Sequence, residues 1–234
     1  MSVEIRELRD EEVASLTQMW NESDSIWPGG FTSGMPLTLE RMRLWNRSTD
    51  YLAPFVAVED GRIVGFSGLT RLAGEPEVAY VSVLGVHPSV LSRGYGRDLL
   101  RTTIARSTEL GFARFDLDTW SANTRAIPLY KRTGFYWVPG TSVNMQNFLP
   151  TLLRHPLVKE FLAGEDWYSC FKPRITLEED AFLQGGIPAF PYEFERDGRR
   201  LSLWLAVGSG EILSYEDEGV HVWLDLAQPK MVVG

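Results

Sequence analysis

The segment Val83-Leu84-Gly85-Val86-His87-Pro88-Ser89-Val90-Leu91-Ser92-Arg93-Gly94-Tyr95-Gly96-Arg97-Asp98-Leu99-Leu100 narrows the choice of fold more than any other part of the chain. An apolar run passes into a turn broken by Pro88, Gly94 and Gly96, and then directly into a helical segment. A join of this kind aims several backbone N–H groups and the positive end of a helix dipole at one point, which makes an anion site. Glycine at 94 and 96 lets the backbone approach a phosphate with no Cβ in the way. The ligand class is still open at this point. A P-loop needs a Gly-Lys-Ser/Thr end, and a dinucleotide fingerprint needs a third glycine where Leu99 stands. Alone, the Gly-x-Gly reads better as a plain strand–helix turn than as a phosphate loop.

Charge favours an anionic ligand. The chain is 234 residues long with a formal net charge of −8, yet Leu91 to Arg132 holds eight Lys and Arg against four Asp and Glu. Local positive charge in an acidic chain suits a polyanionic cofactor, and the overall acidity argues against a nucleic-acid partner. Arg101 and Arg106 also fit a solvated helix face.

Around this segment the patterning predicts a mixed α/β (α+β) arrangement. Val3 and Ile5 suggest a short first strand, and Asp10 is the expected N-cap of a helix carrying Val13, Leu16, Met19 and Trp20. Residues 21–36 read as a loop, and a second helix is expected over Leu37–Asn46. Asp60-Gly61 between two apolar runs predicts a tight hairpin, followed by a third strand over Glu77–Val86. Gly111 and Gly134 close the next two helices, with a strand over Phe115–Thr119 between them and another starting at Phe135. The order is β-α-α-β-β-β-α-β-α-β.

The texture changes near residue 146. A helical linker broken by Pro150 and Pro156 leads to strand-like stretches at Trp167–Ile175, Tyr192–Arg196, Leu201–Val207, Glu211–Tyr215 and Val220–Leu226, a small antiparallel meander. The expected domains are 1–145 and 146–234. The second part holds 8 basic and 14 acidic residues, so most of the acidity lies there. Trp167, Tyr168, Phe171, Tyr192, Phe194, Trp204 and Trp223 supply either its core or an apolar interface, for a homodimer or for docking on the first domain. The apolar, abrupt end Met231-Val232-Val233-Gly234 leaves room for a further domain. A single cysteine excludes an internal disulfide framework, and no zinc-ligand spacing is present, so no metal is expected. The N-terminus has no signal-peptide h-region, and the uncharged stretch Trp137–Leu153 is too rich in Pro, Gly and polar residues to span a membrane. A cytoplasmic protein without a membrane partner is the expectation.

A second motif joins the first. Asn123-Thr124-Arg125-Ala126-Ile127-Pro128-Leu129-Tyr130-Lys131-Arg132-Thr133-Gly134-Phe135 resembles the GNAT superfamily of acyl-CoA-dependent N-acetyltransferases, whose signature is Asn-x-x-Ala-x-x-Leu-Tyr-x-x-x-Gly-Phe. The upstream loop matches that family's Arg/Gln-x-x-Gly-x-Gly except that Leu91 takes the Arg/Gln place. The motifs stand at the family's usual separation, and the element order agrees over about residues 3–145. The resemblance implies a splayed central sheet flanked by helices, with acetyl-CoA as co-substrate lying between strands 80–86 and 114–119. It implies that backbone groups at Leu84, Gly85 and Val86 pair with the pantetheine arm, and that one N–H polarises the thioester carbonyl. Amides of Ser92, Arg93, Gly94, Tyr95, Gly96 and Arg97 would hold the diphosphate, and Asn123 would reach the pantetheine.

In such enzymes a neutral amine attacks the thioester directly. Tyr130 matches the usual general acid for the departing thiolate, with a core tyrosine as the alternative. Asp118 is a candidate base or else a cap or ion-pair partner, and Glu77 and Tyr80 are further candidates. His87 reads as structural, as does Trp20. Trp27-Pro28-Gly29-Gly30 and Phe31 would flank the acceptor cleft. The acceptor would be an amine on a small molecule, peptide or protein. The alternative function is a GNAT-like module that binds acyl-CoA as a sensor or scaffold, with weak or no turnover.

Overall fold

The computed structural model describes residues 3–27, 30, 32, 34–141, 143–173 and 181–224. Packing divides the chain into two compact units, Met1–Leu117 and Asp118–Gly234.

The first unit is a sheet with helices on both faces. Its strands β1 (Glu4–Glu7), β2 (Ala53–Glu59), β3 (Arg62–Leu72), β4 (Glu75–Val86) and β5 (Arg114–Asp118) lie in sequence order. The first four pair antiparallel, and β5 joins β4 in parallel. Helices α1 (Val13–Glu22) and α2 (Leu39–Ser48) bury Leu16, Met19, Trp20 and Met42 against Val56, Ile63 and Phe66. Helix α3 (Tyr95–Glu109) packs on β2 and β3, where Thr103 Oγ1 and Ser67 Oγ lie 3.0 Å apart. Neighbouring residues Phe66 and Ser67 thus face opposite helices, as the two-residue period of a strand requires. A bulge opposite Ala57/Val58 leaves Val64 out of the pairing, so Ile63 faces the same side as Phe66.

The helix start differs from the expectation at Asp10. Residue Arg9 is the N-cap of a short 3-10 turn, and the Glu12 carboxylate accepts from the Arg9 amide at 3.1 Å. Glu12 is drawn there by Arg6, which donates to it at 2.6 and 2.7 Å. Helix α2 begins at Thr38, whose hydroxyl accepts from the Arg41 amide at 3.2 Å.

In the second unit, helix α4 (Ile127–Arg132) is followed by a hairpin of β6 (Tyr136–Trp137) and β7 (Asn144–Asn147). Three short helices come next: α5 (Leu149–Leu152), α6 (Pro156–Leu162) and α7 (Trp167–Cys170). Pro150 and Pro156 lie in the first turns of α5 and α6, where a missing N–H costs nothing. The strand expected over Trp167–Ile175 is a helix at its start. Asp166 caps it, accepting from the Tyr168 amide at 3.3 Å and the Ser169 hydroxyl at 3.1 Å, and Phe171 then bridges to Phe194. Residues 174–180, and with them the end of that stretch, lie outside the described residues.

The rest is an antiparallel half-barrel in the order β12-β11-β10-β9-β8. Its strands are β8 (Phe182–Gln184), β9 (Ile187–Arg196), β10 (Arg199–Ala206), β11 (Ile212–Asp217) and β12 (Val220–Trp223). Phe190, Tyr192 and Phe194 sit opposite Leu205, Leu203 and Leu201 and are fully buried. Tyr136 stacks on Phe190 at 5.2 Å and donates its hydroxyl to Pro191 O. The Tyr192 hydroxyl donates to Gly134 O at 3.0 Å and accepts from the Phe148 amide at 2.7 Å. The expected core residues Phe171, Tyr192 and Phe194 are buried, whereas Trp223 is 56% exposed. Residues 225–234, including Met231–Gly234, lie outside the described residues. Among the described residues no helix is long and apolar enough to cross a membrane, and no group of His, Cys, Asp or Glu is placed to hold a metal ion.

Candidate functional site

The sheet of the first unit opens where the glycine loop begins. Parallel pairing of β4 with β5 runs only from Val78↔Arg114 to Tyr80↔Asp116, while β4 continues to Val86. On its other side β4 stays bonded to β3, with Ser67 opposite Leu84 and Gly65 opposite Val86. A bulge at Ser82 coincides with the opening, since Gly68 pairs Val83 and Leu69 pairs Val81. Leu84, Gly85 and Val86 are therefore half-buried residues on a strand edge without a β5 partner. Unpaired backbone of this kind is what a ligand bearing amides can use.

Gly85 has a local reason to lack a side chain. A Cβ there would lie 2.7 Å from the Trp20 ring and 3.1 Å from that of Trp27. Those two rings pack at 5.8 Å, with Trp20 fully buried in the core and Trp27 half-buried at its edge. Pro28, Gly29 and Phe31, expected beside Trp27, lie outside the described residues.

Past Val86 the chain turns through His87. Its Nδ1 accepts from the Ser89 amide at 3.2 Å, and its Nε2 lies 3.1 Å from a Glu22 carboxylate oxygen, so the ring ties the strand exit to the end of α1. The loop then takes up two left-handed conformations, at Ser92 (φ 64°) and Gly94 (φ 90°), and Gly94 is the residue before α3. Only glycine adopts that region without strain. Among the described residues the amides of Ser92, Gly94, Tyr95 and Gly96 have no protein acceptor, and they stand at the N-terminus of a 15-residue helix. Of the sequence-predicted run Ser92 to Arg97, the amides of Ser92, Gly94, Tyr95 and Gly96 thus form a set of donors of the kind that suits an anion, while the Arg93 amide bonds Val90 O at 3.3 Å.

Two of the loop's side chains are held by a residue that sequence reasoning missed. Arg93 donates two hydrogen bonds to the Glu59 carboxylate, at 2.9 and 2.5 Å, and the Tyr95 hydroxyl donates a third at 2.6 Å. The Arg93 guanidinium also lies 5.1 Å from the centre of the Tyr95 ring. Hydrogen bonds from Tyr95 and then Arg93 hold the Glu59 carboxyl below its usual range, and the same contact raises the Tyr95 phenol. Arg97 differs, reaching instead to Asp98 at 2.8 Å.

The second unit carries the other predicted residues along one connected stretch. Exposed Asp118 ends β5 and accepts from Asn144 Nδ2 at 3.2 Å. Thr119 follows, with its amide bonded to Val143 O at 2.8 Å. Asn123 then organises the approach to α4. Its Oδ1 accepts from the Ala126 amide at 3.2 Å and its Nδ2 donates to Thr119 Oγ1 at 3.0 Å. An asparagine placed this way is a helix-initiating turn, which gives the motif asparagine a structural duty of its own.

Tyr130 lies one turn into α4, 8% exposed, with its ring against Phe135 at 6.1 Å. Burial pushes its phenol up to about 12. The turn after it is held on three sides. Thr133 caps back to Tyr130 O at 2.9 Å, Asn147 donates to Thr133 O at 2.8 Å, and Tyr192 donates to Gly134 O. Gly134 itself is left-handed at φ 91°. The motif's Gly-Phe end thus fixes the ring on which the helix tyrosine rests.

Residues 16–135 match the model of the acetyltransferase (GNAT) family. A mycothiol acetyltransferase from Propionibacterium freudenreichii subsp. shermanii is 41% identical over 80 residues, 33% of this chain and 25% of that protein. The N-alpha-acetyltransferase RimI of Mycobacterium tuberculosis is 38% identical over 79 residues, 32% of this chain and 46% of that protein. The chain therefore matches less than half the length of either curated relative. A GNAT-family acetyltransferase structure from Streptococcus pneumoniae superposes with TM-score 0.52 at 21% identity, covering 63% of this chain and 100% of that one. The structure of yncA from Salmonella typhimurium with its cofactor acetyl-CoA gives 0.52 at 20% identity, covering 64% and 95%. At these identities the structural matches speak for the fold.

Proposed function

The chain belongs to the acetyltransferase (GNAT) family, and from that premise we propose that it transfers the acetyl group of acetyl-CoA to a primary amine by direct attack. The observation that carries this reading is the opened β4 edge running straight into a loop of unpartnered amides at the start of α3. The thioester supplies an activated acyl group, so the protein's own tasks are to hold, polarise and move protons.

The amides of Ser92 to Arg97 suit the diphosphate. The free edge at Leu84, Gly85 and Val86 suits the amide-bearing arm, with one N–H left to polarise the thioester carbonyl. Tyr130 acts as general acid. A phenol raised to about 12 keeps its proton throughout physiological pH, so it is present as a donor to the departing sulfur as charge develops there. The proton lost by the amine as the amide forms balances the one given to sulfur. Asp118, exposed at the end of β5, is the proposed acceptor of that amine proton. The acceptor is an amine on a small molecule, a peptide or a protein. The names of the similar proteins, a mycothiol acetyltransferase and an N-alpha-acetyltransferase, put both small molecules and peptides in the test panel.

Leu91, apolar where the family has Arg or Gln, supports a second reading as an acyl-CoA-binding sensor or scaffold with weak turnover. Thiol release from acetyl-CoA, followed with a disulfide dye across small amines and peptides with free N-termini, separates the two. The enzyme reading expects turnover with at least one amine and a fall of about a hundredfold or more in Tyr130→Phe. Binding of CoA with no turnover on any amine supports the module, and failure to bind CoA removes both.

A further inference from the structure

We infer that Glu59 is a positioning residue for the cofactor loop: by gripping Arg93 and Tyr95 on either side of Gly94, its carboxylate sets the loop in its anion-binding shape before ligand arrives. The inference rests on reading residues 92–97 as the diphosphate site.

Three observations support it. The loop is strained at a non-glycine residue, since Ser92 adopts φ 64°, and two residues later Gly94 adopts φ 90°. Such backbone persists only when its surroundings over-determine it. Immediately around Ser92 the loop's own backbone bonds are long, with Leu91 N to Pro88 O at 3.4 Å and Arg93 N to Val90 O at 3.3 Å, between ordinary bonds from Val90 N to His87 O at 3.1 Å and Asp98 N to Gly94 O at 3.0 Å. Against these, Glu59 makes three charge-assisted hydrogen bonds of 2.5–2.9 Å, the stronger class.

Glu59 is also suited to the task by position. It is the last residue of β2, directly before the Asp60-Gly61 turn and paired across it with Arg62, so its backbone is fixed by the sheet. Its side chain is 11% exposed, whereas that of Arg93 is 42% exposed. A fixed, sheltered carboxylate holds a more exposed arginine and the hydroxyl of Tyr95, a residue buried at the start of α3. Leu91 offers no polar side chain to steady the loop from within, so the bracing comes from outside it. The grip lowers the cost of ordering the donors when the anion binds, which is how preorganisation raises affinity.

The opposite sign is equally concrete. If Glu59 instead competed with phosphate for Arg93, removing its charge would tighten binding. Calorimetric titration of the full chain with CoA distinguishes the two, using wild type, Glu59→Gln, Glu59→Ala and Tyr95→Phe, with a thermal melt for each. Bracing predicts a Kd about threefold weaker for Glu59→Gln and Tyr95→Phe, because each keeps part of the grip, and about tenfold weaker for Glu59→Ala. Each variant should remain folded and melt in a single transition well above the titration temperature. Equal or tighter CoA binding in Glu59→Ala overturns the inference. Should wild type bind no CoA, the functional reading fails and hydrogen exchange still decides the brace. Glu59→Ala should then speed exchange at the amides of Arg93 and Asp98, and unchanged exchange rejects it.

Discussion

The two sheets of this protein use their backbones in opposite ways. In the half-barrel β8–β12 every neighbour is antiparallel, and β9 and β10 pair without a break from Arg196↔Arg199 to Ala189↔Ala206. In the first sheet the 12-residue strand β4 pairs with β5 at three positions and then leaves one edge open. A closed ladder satisfies its own donors and acceptors and contributes stability. An interrupted one leaves groups that only water or a ligand can satisfy. The chemistry proposed for this chain lies along the interruption, and the aromatic core of the half-barrel is packing.

Core truncation should show the largest split between the sheets. Leu203→Ala removes a fully buried side chain opposite Tyr192 and should cost about 2–5 kcal/mol in denaturant unfolding. CoA affinity of the molecules that remain folded should be unchanged, and a parallel loss of affinity would break the contrast. Gly94→Ala is the reciprocal change. It forces a Cβ onto a left-handed residue, within 2.9 Å of an Arg97 nitrogen, and should cost about 1–2 kcal/mol while weakening CoA binding severalfold. Stability loss with intact CoA binding would detach the loop from the cofactor.

Acid treats the two sheets alike. The carboxyls of Glu59 and Asp217, one in each sheet, are both held below their usual values by hydrogen bonds, from Tyr95 and Arg93 in one case and from Arg199 in the other. A depressed folded pKa gives stability that is present above the unfolded value and is lost as pH falls through the folded one. Melting temperature should therefore hold down to about pH 4–5 and decline below it. Glu59→Gln should flatten the part of that decline owed to the loop. The smallest effect is expected at Trp223, 56% exposed on the edge strand β12. Trp223→Ser should change stability by no more than about 0.5 kcal/mol.

What the sequence reveals follows how local each interaction is. The Asp60-Gly61 hairpin, the glycines that end helices at 111 and 134, and both motifs are short-range patterns, and each appears where expected. Short strands are another matter. Asn144–Asn147 and Phe182–Gln184 have too few alternating residues to show a period, and they are strands because partners 8–10 and 3–7 residues away pair with them. Trp167 begins a helix despite its β-favouring neighbours, because Asp166 caps the turn. Asp10 lost its capping place to Arg9 and Glu12 through Arg6, a residue six positions from its partner. Glu59 was invisible for the same reason, with Arg93 34 positions away. The glycine loop was legible, and the residue that grips its side chains was not.

The Tyr192 hydroxyl, shared between Gly134 O and the Phe148 amide, limits how this protein can be trimmed. A version ending after the β6–β7 hairpin would keep the whole tyrosine motif yet leave the Gly134 carbonyl behind Tyr130 without its donor, and bare the faces of Tyr136 to water. Boundaries for expression or domain grafting are therefore better set beyond β10 than at the point where the sequence changes texture.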